Sequence, residues 1–124
     1  MRKISCFGLV LTLICAPWNA TGQGSVLGQD KKLDDAYTEF CDVRIQYFNN
    51  LFCAQVQEQM VKSTLLLANI VMTSDALGAK EKYPWSLSLY RMADQMSPGN
   101  EEAGQNIQMI EGIYQQMGRP IPKG

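Results

Sequence analysis

Residues 34–72 read DDAYTEFCDVRIQYFNNLFCAQVQEQMVKSTLLLANIVM, and the spacing of the apolar groups in this stretch decides the fold. From Leu33, Tyr37, Phe40, Cys41, Ile45, Phe48, Phe52, Val56 and Met60 recur mostly at steps of three or four, the spacing of one face of an α-helix. Asn49 and Asn50 interrupt the row with residues that favour turns, so the stretch is either one long helix or two. Cys41 and Cys53 bear on that choice. Two residues twelve apart in an unbroken helix are separated by about 18 Å along its axis, whereas a disulfide needs Cα atoms about 4.4 to 6.8 Å apart. If the two thiols pair with each other, the stretch is an αα-hairpin. If they do not, a continuous helix is the better reading.

The N-terminus sets the compartment. Arg2 and Lys3 precede an uncharged run, Ile4 to Ala16, then Pro17 and the small residues Ala20, Thr21 and Gly22. This is the three-part layout of a secretory signal peptide, with cleavage expected after Gly22. The apolar run is about 13 residues, short of the roughly 20 that a spanning helix needs. Removing residues 1–22 takes two basic and no acidic side chains from the 11 and 12 present, so the charge moves from −1 to −3. A mildly acidic chain has no charge with which to seek nucleic acid or an anionic membrane. The 102 residues left of 124 suffice for one domain. Cys6 and Cys15 leave with the signal, so an exported product, periplasmic or secreted, retains Cys41 and Cys53, which are expected to form one bridge.

Residues 23–31, with two glycines and a serine, read as a flexible leader. A first helix runs to about Phe48, with Asp34 and Asp35 against its positive end, and a second from Leu51 to about Ser74. The second ends in Leu65, Leu66, Leu67, Ala68, Ile70, Val71 and Met72, apolar on nearly every side, which predicts burial around most of its circumference. Asp75 to Lys82 reads as a connection, and Pro84 stands where a third helix can start, running to about Met96 with Trp85, Leu89, Met92, Ala93 and Met96 at helical spacing. Ser97-Pro98-Gly99-Asn100 is a turn by composition. Asn100 then caps a fourth helix, Glu101 to Met117, with Ala103, Ile107, Ile110, Tyr114 and Met117 in its apolar row and Gly118 just past its end. The resulting class is all-α: an antiparallel bundle of about four helices over residues 32–118, with a proline-rich tail at 119–124.

Tyr83, Ser86, Tyr90, Ala93 and Pro98 are spaced as an aromatic, a small residue, an aromatic, Ala and Pro. Over these 16 residues the chain resembles the second helix of a tetratricopeptide repeat. The resemblance implies that the third and fourth helices form an αα-hairpin that docks a peptide. Gly104 and Gln108 stand where the next repeat would have tryptophan and glycine, and no second copy follows.

The side chains present speak against an enzyme. With no histidine, the chain lacks the usual general base and the commonest metal ligand. Bridged cysteines would remove a thiol nucleophile and a zinc site as well, so no catalytic, metal or cofactor site is expected. Asp34, Asp35, Glu39 and Asp42 could in principle form a carboxylate pair for hydrolysis, but they interleave with the apolar row as a solvated helix face does.

Binding is the better expectation. Tyr83, Trp85, Tyr90 and Arg91 lie close together beside Lys80 and Lys82, and aromatic and Arg side chains are enriched in interface hot spots. The same spacing is that of a helix core, which is the competing reading for Trp85 and Tyr90. Six methionines beyond the signal would suit a carrier of an apolar ligand, the second functional expectation, although methionine at helical spacing more often fills a core. The first expectation is an exported helical protein that acts on a protein partner as an accessory factor, inhibitor, immunity factor or chaperone.

Overall fold

The computed structural model describes residues 30–123. The expected signal peptide, and all of the leader before Asp30, lie outside them. The described chain forms four helices and no strand: α1 (Lys31–Asn49), α2 (Ala54–Thr73), α3 (Ala79–Met96) and α4 (Glu101–Gln116). None of these helices is long and apolar enough to cross a membrane.

The stretch at 34–72 is two helices. α1 stops at Asn49 because Asn50 leaves helical geometry, at φ −141°, while closing the helix end twice. Its backbone N–H donates to the Tyr47 carbonyl (3.1 Å) and its side-chain Nδ2 donates to the Gln46 carbonyl (2.9 Å), satisfying groups that a helix C-terminus otherwise leaves open. The Cys53 N–H returns to the Asn50 carbonyl (3.0 Å), and the Cys53 carbonyl then accepts from Gln57 N–H (3.1 Å) to start α2. α2 therefore begins at Ala54, three residues later than Leu51, the start expected from the apolar row.

The start of α1 corrects the leader boundary. Asp30 is the N-cap, its Oδ1 accepting from the Lys32 and Leu33 N–H groups (3.0 and 3.2 Å), and Lys31 is already helical. Its other oxygen, Oδ2, accepts from Ser74 Oγ at 2.6 Å, just past the end of α2. The beginning of α1 thus meets the end of α2, so the two helices run antiparallel. These hydrogen bonds, that from Ser74 foremost, hold the Asp30 carboxyl below its ordinary value of 3.8.

α3 starts five residues earlier than Pro84 suggested. Gly78 is its N-cap, and the Gly78 carbonyl accepts from Glu81 N–H (3.1 Å) and Lys82 N–H (2.9 Å). Pro84 is carried inside the helix, one turn from its start, where its missing N–H deprives only the carbonyl of exposed Lys80 of a helical partner. The connection expected at 75–82 shrinks to residues 74–78.

α4 follows the expected punctuation. Asn100 Oδ1 accepts from Ala103 N–H (2.9 Å). Ahead of it, Asn100 N–H donates to the Ser97 carbonyl across a turn with Pro98 in its second position and Gly99, at φ +81°, in its third, as a type II turn requires. At the other end, Gly118 (φ +64°) donates to Gln115 and Arg119 donates to Tyr114, the paired bonds of a Schellman closure.

Close packing follows chain order, α1 on α2, α2 on α3 and α3 on α4, so α2 and α3 form the middle of the molecule. This explains the nearly all-apolar end of α2. Leu65, Leu67, Ala68 and Val71 are buried between neighbours, and of that run only Leu66 is exposed. Leu33, Tyr37, Phe40 and Val43 fill the core from α1, Leu87, Leu89 and Ala93 from α3, and Ala103, Ile110 and Tyr114 from α4. Polar groups inside are paired: Thr64 Oγ1 and Ser63 Oγ donate to the Met60 carbonyl (2.7 and 3.2 Å), and no buried side-chain nitrogen or oxygen among the described residues lacks a partner.

Candidate functional site

Of the four residues expected to face a partner, two are interior. Trp85 is 4% exposed and Tyr90 1%. Trp85 meets Tyr37 of α1 edge-to-face, with ring centroids 6.2 Å apart and planes at 71°. The Tyr90 hydroxyl donates to Asn69 Oδ1 of α2, and Asn69 Nδ2 donates in turn to Glu102 Oε2 of α4 at 2.8 Å. Tyr90 therefore ties three helices together. Burial, with a further contribution from the Glu102 charge, pushes its hydroxyl up to about 12. The partner surface expected at these two aromatics is thus corrected to core, because Trp85 and Tyr90 share the α3 face that carries Leu89 and Ala93.

Tyr83 and Arg91 are partly exposed. Arg91 is a clasp: Nη1 donates to the Pro122 carbonyl at 2.6 Å, and Nη2 donates to Glu111 Oε2 of α4 at 3.2 Å. It holds the tail against α3, with Ile121 packed on the core. Beside the tail an open cavity of about 620 Å³ lies between Arg91, Met92 and Gln95 of α3 and Ile121, Pro122 and Lys123.

The carboxylates of α1 do not gather into a centre. Asp34 stands in the first turn against the helix N-terminus, and Asp35 pairs with Lys31 at 2.9 Å. Asp42 is exposed on a different turn. No group of three or more metal-ligating side chains comes together among the described residues.

The feature that sequence reasoning missed is the exposure of the large apolar side chains at the turn between α1 and α2, although the turn itself was expected at Asn49 and Asn50. Phe48 is 61% exposed, Leu51 46% and Phe52 101%, as open as in an extended chain. The apolar row places Phe48 and Phe52 on the core face only if the helical spacing runs unbroken through Asn49 and Asn50, one of the two readings that the sequence left open. The helix ends at Asn50, with Phe48 on its exposed last turn and Phe52 beyond it, both outside the interior. Arg44 extends its guanidinium over the Phe48 ring, 5.6 Å from the centroid, and Tyr47 meets Phe48 edge-to-face at 5.5 Å. Single exposed apolar side chains are ordinary on a protein surface. Three within five residues, on a turn closed by backbone hydrogen bonds, put a cluster of exposed apolar groups at one end of the hairpin. The available signal was Asn49-Asn50 set between Phe48 and Leu51-Phe52, a turn flanked by large apolar groups.

Compared with models of known protein families, with curated proteins and with solved structures, the chain matches none. The tetratricopeptide resemblance stays confined to the few positions on α3 and the turn after it.

Proposed function

We propose that this is an exported protein, periplasmic or secreted, that works by binding another protein, and that the α1–α2 tip enters an apolar pocket on that partner. The observation that carries the reading is the exposure of Phe52, Phe48 and Leu51 together. Keeping a phenylalanine in water forgoes roughly 1.5 to 3 kcal/mol that burial would supply. Clustered aromatic side chains on a preorganised turn are the means by which a small protein gains affinity without ordering a loop on binding.

Export is part of the same proposal, with residues 1–22 removed as a signal and Cys41 joined to Cys53. Neither cysteine is a free thiol among the described residues. Cys41 lies on α1 and Cys53 immediately before α2, on the two sides of the turn, which supports a bridge that an unbroken helix would forbid. Such a bridge would brace the tip from behind.

The test is affinity capture from an envelope fraction with the wild-type chain and with the double variant Phe48→Ser and Phe52→Ser. The wild-type chain should retain a stoichiometric protein that the variant loses while its melting temperature is unchanged. Equal capture by both would overturn the assignment of the tip.

A further inference from the structure

The segment that follows α4 is proline-rich and is anchored at two points. Arg91 donates to the Pro122 carbonyl, and Ile121 is packed against the core. The chemistry of this contact is specific. Proline has no N–H, so Pro120 and Pro122 hold the segment extended, with φ near about −65°, and offer hydrogen-bond acceptors only. Arginine offers donors only. The α3 face therefore combines a donor matched to an extended, carbonyl-presenting segment with an apolar seat for the residue between two prolines. The occupied contact does not fill the site, since the open cavity continues along Met92 and Gln95 beside the tail.

We propose that this face of α3 is a peptide-docking groove for an extended Pro-apolar-Pro segment of a partner protein, and that the chain's own Pro120-Ile121-Pro122 occupies it as an intramolecular competitor. The groove is a second surface, separate in sequence from the tip, and its assignment rests on the protein-binding reading. Glu111 is part of the device: by pairing with Nη2 it fixes the guanidinium plane and leaves Nη1 directed at the carbonyl of whichever segment lies there. A tethered tail acts at an effective concentration of about millimolar, so a free peptide of equal contacts must compete against that value.

The probe is a labelled six-residue peptide copying Arg119 to Gly124, titrated by fluorescence anisotropy onto the full-length mature chain. Ile121→Ser, which removes the apolar anchor of the resident tail, should bind the probe at least about tenfold more tightly than the wild-type chain does. Adding Arg91→Gln to Ile121→Ser should abolish that gain. In the wild-type chain, saturating probe should sharpen the amide resonances of Arg119, Ile121 and Lys123 as the tail is released, which reads the same competition without any substitution. Equal affinity for the wild-type chain and Ile121→Ser, or tail resonances that do not respond to saturating probe, would overturn the proposal. Phe48→Ser with Phe52→Ser should leave probe binding intact, so failure of the groove and failure of the tip are told apart.

Discussion

Phe40 and Phe52 belong to one apolar row in the sequence, but the structure gives them opposite surroundings, so truncating each to alanine separates the two helices of the hairpin from the single helix that the row suggests. Phe40 is 1% exposed, on α1, within the core shared with α2 and α3. Phe40→Ala removes its transfer free energy and leaves a cavity, a combined loss of about 3 to 5 kcal/mol. For a domain of this size each kcal/mol lowers the melting temperature by roughly 4 to 8 °C, so the expected fall exceeds about 12 °C. Phe52 is 101% exposed, so Phe52→Ala removes no burial and should change stability by no more than about 0.5 kcal/mol. Thermal melts followed by far-UV circular dichroism, with urea titrations to check that the slope is unchanged, make the comparison direct. A Phe52→Ala chain that melts as early as Phe40→Ala would refute the reasoning: the tip would then be packed against the domain, and its role as a docking surface would be lost with its exposure.

Cys53→Ser should lower stability by roughly 2 to 4 kcal/mol in urea titrations without reductant, and reductant should bring the wild-type curve down toward the variant; coincident curves would show that no bridge braces the hairpin. Tyr90 is neutral in the folded state up to about 12, whereas its unfolded value is the ordinary 10.0, so its contribution is complete below pH 10 and is lost as pH rises toward 12. Melts across that range should fall more steeply for the wild-type chain than for Tyr90→Phe. The Asp30 carboxyl has the opposite sign: its folded value lies below 3.8, so the stability it lends is present above that value and is lost as pH falls through the lowered one. Asp30→Asn, which keeps an N-cap oxygen without the charge, should flatten the acid limb of the melting curve, and parallel limbs would remove the Asp30–Ser74 hydrogen bond as its cause.

What was legible in the sequence was periodic or punctuated. α4 is marked at both ends by residues whose chemistry acts within one turn, Asn100 accepting from Ala103 and Gly118 taking the positive φ of the closure, so local reading places it almost to the residue. The burial of Leu65, Leu67, Ala68 and Val71 likewise follows from a run too apolar to face water. The misplacements share a cause, which is that a local signal was overruled by packing or by a partner distant in the chain. Pro84 can start a helix, but the turn from Gly78 already supplied a start and the proline was carried along. Asp30 reads as part of a polar leader, because the hydroxyl that completes its role, Ser74, lies 44 residues away. Trp85 and Tyr90 have the residue types of a hot spot and the spacing of a core, and only the position of α1 and α2 against α3 chooses between them.

The same contrast explains why the candidate surfaces lie where the helices end. Along α2 and α3 almost every large apolar group except Leu66 has a neighbouring helix to bury it, so apart from the α3 face under the tail these helices have little left to offer a partner. Turns and tails escape that demand. At the tip, the side chain of Asn50 closes α1 and backbone hydrogen bonds close the turn, which leaves the Phe52 side chain without cover and those of Phe48 and Leu51 only partly covered. At the tail, the Schellman closure at Gly118 completes α4 before Pro120 is reached, so the helix does not need the segment that Arg91 retains. A residue that the fold does not require, yet holds at a defined place on the surface, is free to be chosen for what it contacts. On that ground both surfaces should tolerate substitution with little change in stability and a large change in binding, whereas Tyr90 and Trp85, which the fold does require, should show the reverse.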